Sequence, residues 1–308
     1  MNRKILNKHG AVTTDLSRCI MAMEEGEKLP TIIELTERFG VSRGIVQNAI
    51  SLLETEGCIK LSRSGKLGTV VEYIDYEKLY GFTGWDPIVG AMPVPFNGIF
   101  RSLASALFRE SRKLPVDSSI VYVSGALNRQ TMLEKDFFDY IVTSVAAARH
   151  ICRENEDIEV LFELPGCLYE VPYGIIFFDK NQTEIQDGMR VGVDPEVIDQ
   201  RELTRALCEG KNVEFVSMPL ENTVETLHDH SIDCTVIRRE KWLEDNMEFN
   251  TVPIPKTDYP AEDTTLPAIL VNKKNYGIKK FLKKYISPER IAEYQTKSID
   301  IQSNYRFN

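Results

Sequence analysis

The chain has 308 residues, is 43% hydrophobic and 27% charged, and carries a formal net charge of −9. That length allows two or three domains with cores of their own, and no apolar run approaches the roughly 18 residues that span a bilayer. MNRKILNKHGAVTTDLSRC lacks an apolar signal core, so no membrane association is expected and a cytoplasmic protein is. Six dispersed cysteines without a CxxC pair exclude a disulfide framework and a zinc ribbon. Residues 1–80 hold eleven basic and eleven acidic side chains, so the acidity lies wholly in the remainder. A neutral head with a local basic patch can bind phosphate, while an acidic body discourages non-specific sticking.

In chain order, residues 14–25 place Leu16, Ile20 and Met23 on one helical face, ended by Gly26. Thr31 is an expected N-cap, with Glu34 completing a capping box, for a helix carrying Ile32, Leu35 and Phe39 and ending at Gly40. Ser42 is expected to cap the next helix. Val46, Ala49, Ile50 and Leu53 form its apolar stripe, and Gly57 closes it. CIKL (58–61) and TVVEYI (69–74) around a glycine–serine loop read as a β-hairpin. Residues 75–87 read as a linker with aromatic anchors.

Beyond the linker, strand-like and helix-like runs alternate. The strand-like runs are 88–92, 119–124, 158–164, 173–178, 189–193, 213–218, 233–237, 250–255 and 267–272. Helices are expected at 97–111, 137–151, 201–210, 221–230 and 276–286, with Phe137, Ile141, Val145 and Ala148 as one helical core stripe. Such alternation predicts parallel sheets covered by helices.

The stretch 42–53 has what a major-groove helix requires. Its apolar face fixes it on the domain, and Ser42 opens its phosphate-facing first turn. Arg43, Gln47 and Ser51 share one outer face, with Gly44 and Asn48 beside it. Gln and Asn suit adenine, and Arg suits guanine or phosphate. Arg63 and Lys66 at the hairpin tip, among small residues, add phosphate affinity. The same residues would also serve as an ordinary solvated face and turn. It is their order within one short segment that favours double-stranded DNA.

Residues 29–72 resemble the winged helix-turn-helix of the GntR regulators. The resemblance rests on Leu29-Pro30, Leu35, Gly40-Val41-Ser42-Arg43, Val46, Ala49, Leu53-Glu54 and Gly57. It implies a DNA-binding head, with Thr31 at the entry of the first motif helix. This sequence departs from the family at Thr31-Ile32-Ile33 (usually Ser-Glu-Arg), at Gly44-Ile45 (usually Thr-Thr) and at Gln47 (usually arginine).

The order of elements in 88–290 resembles a type II periplasmic-binding-protein fold, with 171–181 crossing to the second lobe and 267–272 returning. A GntR-like head on such a body resembles the YhfZ family of regulators over nearly the whole chain. The implied architecture is multidomain. A winged helix-turn-helix (1–74) and a linker (75–87) precede a two-lobed α/β ligand-binding domain (88–308), whose second lobe spans about 182–240.

Ligands of open α/β sheets sit near the carboxyl ends of strands and the N-termini of helices. That makes Pro95, Phe96, Asn97, Ser124, Gly125, Arg129, Tyr173, Asp194 and Arg238 the candidates. Arginines around a cleft suit a carboxylate or phosphate effector, although each alone would serve equally as a surface ion-pair partner.

Other clusters carry less. His228-Asp229-His230 with Cys234 reads as a polar helix end rather than a metal site. Glu163 and Asp179 are candidate buried carboxylates without a catalytic partner nearby, and the basic segment 279–285 reads as a solvated helix face. No GxSxG, P-loop or GxGxxG fingerprint occurs, so neither enzymatic activity nor a cofactor is expected. The expectation is a homodimeric transcription regulator that binds an operator and a small effector. Its rival is a metabolite-binding or enzymatic α/β protein whose degenerate head serves dimerisation or partner docking.

Overall fold

In the computed structural model, which describes residues 8–63, 68–85, 87–95, 97–239 and 248–304, the head begins with α1 (Lys8–Met21). Leu16, Ile20 and Met23 are all buried. The helix starts earlier than its apolar spacing alone suggests and stops at Met21, before Gly26. Thr31 caps α2 (Ile32–Phe39). Its hydroxyl accepts from the Glu34 amide at 3.3 Å, while the Glu34 carboxylate accepts from the Thr31 amide at 2.7 Å. This reciprocal box satisfies two orphan donors of the helix start. Gly40 ends α2 at φ +63°, a left-handed conformation that costs glycine little. Ser42 precedes α3 (Arg43–Thr55) in the N-cap position, but its side chain makes no capping bond. Val46, Ala49, Ile50 and Leu53 face inward.

The wing is an antiparallel pair, β1 (Ile59–Arg63) and β2 (Thr69–Ile74), with Ile59 opposite Ile74. The segment before α2 lies along its edge, Gly26 N donating to Val71 O at 2.7 Å and Leu29 N to Thr69 O at 2.9 Å.

Residues 76–83, expected within a linker, form α4 (Tyr76–Thr83), capped by Asp75, which accepts from the Lys78 amide at 3.0 Å. Leu79, Thr83 and Trp85 are buried, so the segment belongs to the head core. The chain packs as two compact units, and the first joins residues up to Ile88 to Ser111–Ser119 and Lys273–Ile286. That last segment supplies α10 (Tyr276–Tyr285). Its lysines mark only one side: Ile278, Phe281 and Leu282 are buried, and the Phe281 ring lies 5.9 Å from Trp85. A Cβ at Gly277 would meet the Arg18 carbonyl oxygen at 2.9 Å, so the close approach of α10 to α1 requires glycine.

The α/β body holds two five-stranded sheets. The first lobe contributes β3 (Ile88–Met92), β4 (Ser118–Tyr122), β5 (Tyr140–Ser144), β6 (Ile158–Glu163) and β12 (Pro267–Asn272), in the order β4-β3-β5-β12-β6. With them run α5 (Gly98–Ser111), α6 (Ala126–Glu134), α7 (Val145–Glu154) and α11 (Pro288–Asn304). The second lobe contributes β7 (Tyr173–Phe177), β8 (Arg190–Val193), β9 (Glu214–Ser217), β10 (Cys234–Arg238) and β11 (Asn250–Pro253), in the order β11-β7-β10-β8-β9, with α8 (Ile198–Leu207) and α9 (Thr223–His228).

The sheets are mixed rather than wholly parallel. β3 pairs parallel with β5, and β8 with β9 and β10, as crossover helices dictate. The crossing strands escape that rule: β7 is antiparallel to β10 and β11, and β12 to β5 and β6. The single helix expected over 137–151 is a strand followed by a helix. Tyr140–Ser144 is buried at every position, as suits the middle of a covered sheet. Ser144 then caps α7 by accepting from the Ala147 amide at 3.0 Å. Phe137, Ile141, Val145 and Ala148 therefore share no helical stripe, and Phe137 is 64% exposed.

Candidate functional site: nucleic-acid interface and ligand cleft

On the head, Arg43, Gly44, Gln47, Asn48 and Ser51 are all exposed along α3, as is Ser42 before it. A groove of about 1050 Å³ runs between α2, α3 and the wing, lined among others by Lys28, Thr31, Ile33, Arg43, Gln47, Ser51 and Arg63. Thr31 is exposed, but its hydroxyl is committed to the capping box. The Thr31 backbone and side-chain hydrogen bonds hold the Glu34 carboxyl below its usual range, so this face also carries fixed negative charge. Arg63 contacts Glu54 of α3 at 2.5 Å. Lys66 lies outside the described residues. Ile33, one of the most exposed aliphatic side chains at 68%, stands in the groove among these charges.

In the body, a cavity of about 410 Å³ opens between the two lobes. Pro93-Val94, Ser124-Gly125-Ala126, Arg129, Thr143 and Ala147 line it from the first lobe, and Val197-Ile198-Asp199, Leu220-Glu221, Ile237 and Arg238 from the second. Tyr169 and Tyr173, around the crossing, complete the lining. The lobes also touch beside it, Ala126 N donating to Glu196 O at 3.1 Å. Gly125 stands before α6 at φ +78° and an added Cβ would lie 3.2 Å from the Glu196 Cβ, so strain and space both favour glycine there.

Ionisable side chains define the chemistry of this cavity. Arg129 is 3% exposed and donates to the Val123 carbonyl at 2.7 Å, with Tyr169 Oη more distant at 3.5 Å. Its Nε has no hydrogen-bond partner. Burial pulls its pKa down, against the pull of Tyr169 and Asp199, yet an arginine stays protonated. Arg238 sits 2.5 Å from the buried carboxylate of Glu170, off the line of a good hydrogen bond, and 5.6 Å from the Tyr173 ring centroid. Burial opposes its charge, but Tyr173, Glu170, Tyr169 and Asp199 together outweigh that and raise its pKa. Asp199 is 6% exposed and accepts from Tyr259 Oη at 2.8 Å. Desolvation lifts its carboxyl above the usual range, opposed by hydrogen bonds from Ser144 and Tyr259 and by the charges of Arg238 and Arg129. Burial also pushes the Tyr169 phenol up to about 12, so it stays neutral. Glu221 is exposed at the rim.

The structure thus brings Ser124, Gly125, Arg129, Tyr173 and Arg238 to one cavity. Asp194 is spent on backbone, its two oxygens accepting from the Glu196 amide at 2.9 Å and the Leu220 amide at 2.8 Å. Asn97 accepts from the Phe100 amide at the start of α5 and donates to Glu170 at 3.1 Å. Pro95 and Asn97 stand outside the lining, and Phe96 lies outside the described residues. Sequence reasoning passed over Thr143, Tyr169, Glu170 and Asp199. Asp199 carried a weak signal, an acidic residue in the first turn of a helix after a strand.

The carboxylates expected to be buried are not. The Glu163 side chain is 53% exposed and lies 3.6 Å from Arg149, and Asp179 is exposed. His230 adopts φ +58° after α9 and packs against Phe178, ring centroids 4.2 Å apart. Among the described residues no group of three or more His, Cys, Asp or Glu side chains is placed to hold a metal ion. No helix among them is long and apolar enough to cross a membrane.

Comparison with known proteins agrees with this architecture. Residues 24–71 match a helix-turn-helix domain, and residues 75–305 match the YhfZ C-terminal domain. The protein YhfZ of Escherichia coli (strain K12) is 24% identical over 300 residues, 97% of each chain. The crystal structure of YhfZ from Shigella flexneri superposes with a TM-score of 0.62 at 19% identity, covering 73% of this chain and 95% of that one. The methionine binding protein MetQ is more distant, with a TM-score of 0.44 and 16% identity over 70% of this chain and 96% of that one. With its helix-turn-helix head and a C-terminal domain matched over most of the chain, this protein belongs to the YhfZ family.

Proposed function

We propose that the chain is a cytoplasmic transcription regulator. Its head reads an operator as half of a homodimer, and its body binds a small molecule between two lobes. The observation that carries this reading is the outer face of α3. Arg43, Gln47, Asn48 and Ser51 are all exposed there while Val46, Ala49, Ile50 and Leu53 anchor the helix. Arg43 and Gln47 line one side of a groove whose other wall is the wing, which offers Arg63. Exposed cations at a helix start suit phosphate, and the amide side chains suit adenine edges. Gly44 beside Arg43 has open space around it, so the backbone can approach a duplex closely. In the body, Arg129 supplies a buried cation to the cavity, which suits an anionic group of the effector.

The test is duplex binding by the full chain over a series of salt concentrations. A DNA-reading head loses affinity steeply with salt, by about 0.9 in the log–log slope per neutralised phosphate. Arg43→Ala is expected to flatten that slope and weaken binding, whereas Arg129→Ala leaves ligand-free binding unchanged. Equal effects of the two substitutions would contradict the assignment of the two sites. Binding without salt dependence would favour a head that docks protein partners instead.

A further inference from the structure

The cleft holds two opposite charges that the protein itself leaves without an ion-pair partner. Arg129 is 3% exposed, and no carboxylate lies within ion-pair distance of it among the described residues. Its Nε is buried without a hydrogen-bond partner. Asp199 is 6% exposed, and its bonds come from neutral hydroxyls, those of Tyr259 and Ser144. It too has no ion-pair partner among the described residues. Both side chains line the same cavity, yet they do not pair with each other. Arg238, the other cation there, is already compensated by Glu170 at 2.5 Å.

A buried charge without a counter-charge is costly, and the cost falls when a ligand supplies the missing partner. A ligand that is only anionic satisfies Arg129 but brings its charge toward Asp199, and Glu221 on the rim adds to the repulsion. A ligand that is only cationic has the converse fault. One that carries both charges on a short skeleton answers both. Resting on the reading of the body as an effector domain, we infer that the cleft binds an amino acid in its zwitterionic form, its carboxylate on Arg129 and its ammonium on Asp199. Tyr169 and Tyr173 give the cavity aromatic walls beside the charged pair. The cavity, about 410 Å³, has room for such a molecule.

The experiment is calorimetric titration of the full chain with each of the twenty protein amino acids, and with inorganic phosphate and succinate as anion-only probes. At least one amino acid binds, and its N-acetyl and carboxamide derivatives each bind at least tenfold more weakly. Asp199→Asn lowers affinity for that amino acid at least tenfold but binds the 2-hydroxy acid of the same skeleton no more weakly than before. A merely structural aspartate would weaken both alike. Glu209→Gln, exposed and outside the cavity lining, keeps the amino acid within about threefold. Tighter binding of succinate or phosphate than of every amino acid overturns the inference, as does undiminished binding of the N-acetyl derivative or the absence of binding by all twenty. None of these outcomes touches the salt-dependent binding of duplex DNA, which tests the regulator reading separately.

Discussion

Arg63, the last residue of the first wing strand, lies 2.5 Å from the Glu54 carboxylate of α3. The contact ties the wing to the helix beside it, and it occupies a cation that, on the proposed reading, would otherwise meet the operator. The side chains are 61% and 26% exposed, and exposed pairs of this kind contribute only about 0–1 kcal/mol to stability. Glu54→Gln is therefore expected to leave the fold intact while freeing Arg63 for phosphate. The measured result should be tighter duplex binding and a log–log salt slope steeper by about one. An unchanged slope would place Arg63 away from the DNA.

Gly44 separates the fold of α3 from the DNA contacts proposed for it. It lies in the first turn of α3, and a Cβ there meets nothing within 4 Å. Gly44→Ala should stabilise the head, by up to about 1 kcal/mol from helix propensity, and still weaken DNA binding if the backbone meets a phosphate. Denaturation and duplex titration of the same variant check the two halves. A variant that is stabilised and binds as before would show that no close backbone approach occurs.

The helix α4 makes a statement about where the head ends. Leu79 is fully buried, and Leu79→Ala should cost about 2–5 kcal/mol through the cavity left behind. A fragment ending at residue 74 is expected to fail to fold cooperatively, as judged by its thermal unfolding profile. A stable, cooperative fragment of that length would show α4 to be an accessory.

Much of this was legible in the sequence, and the exceptions have physical causes. The capping box at Thr31 and Glu34, the stripe on α3 and the hairpin are local patterns, written within a few residues. Helix α4 was hidden because Leu79, Thr83 and Trp85 acquire meaning only against α1. The strand at Tyr140–Ser144 was read as helix because its apolar residues run straight into those of α7, and a continuous apolar run has no distinctive period. In the cleft, Arg129 and Arg238 followed from their positions after strands. Asp199 did not, because Tyr259, Ser144 and Arg129, which give it its environment, are far away in the chain. Asp194 ends its strand as expected, yet its carboxylate turns back onto two amides.

Asp199 gives a pH dependence with a definite sign. Its folded-state pKa is raised above the usual 3.8, chiefly by desolvation. A raised acid favours folding fully below its unfolded pKa, and that contribution is lost as pH rises through the folded value. Asp199→Asn mimics the protonated form. It should stabilise the ligand-free chain at neutral pH, with the gain shrinking as pH falls toward 3.8. Denaturant midpoints of both proteins across that range provide the check, and a variant destabilised at every pH would make the carboxylate a structural acceptor.

Glu170 is the buried partner of Arg238 and also accepts from Asn97 at 3.1 Å. Glu170→Gln strips the counter-charge from a largely buried guanidinium, and breaking a buried pair typically costs about 3–5 kcal/mol. Chemical denaturation should show this loss in the body's transition. A loss below about 1 kcal/mol would mean that Arg238 is solvated rather than held by the pair.

The most direct test of the regulator itself is selection of bound sequences from a random duplex library by the purified full-length protein at near-physiological salt. The expected result is an enriched two-fold symmetric site, its half-sites about one helical turn apart, with enrichment lost in Arg43→Ala. Failure to enrich any sequence, in the presence and absence of amino acids, would contradict the central claim and leave the head as a docking module.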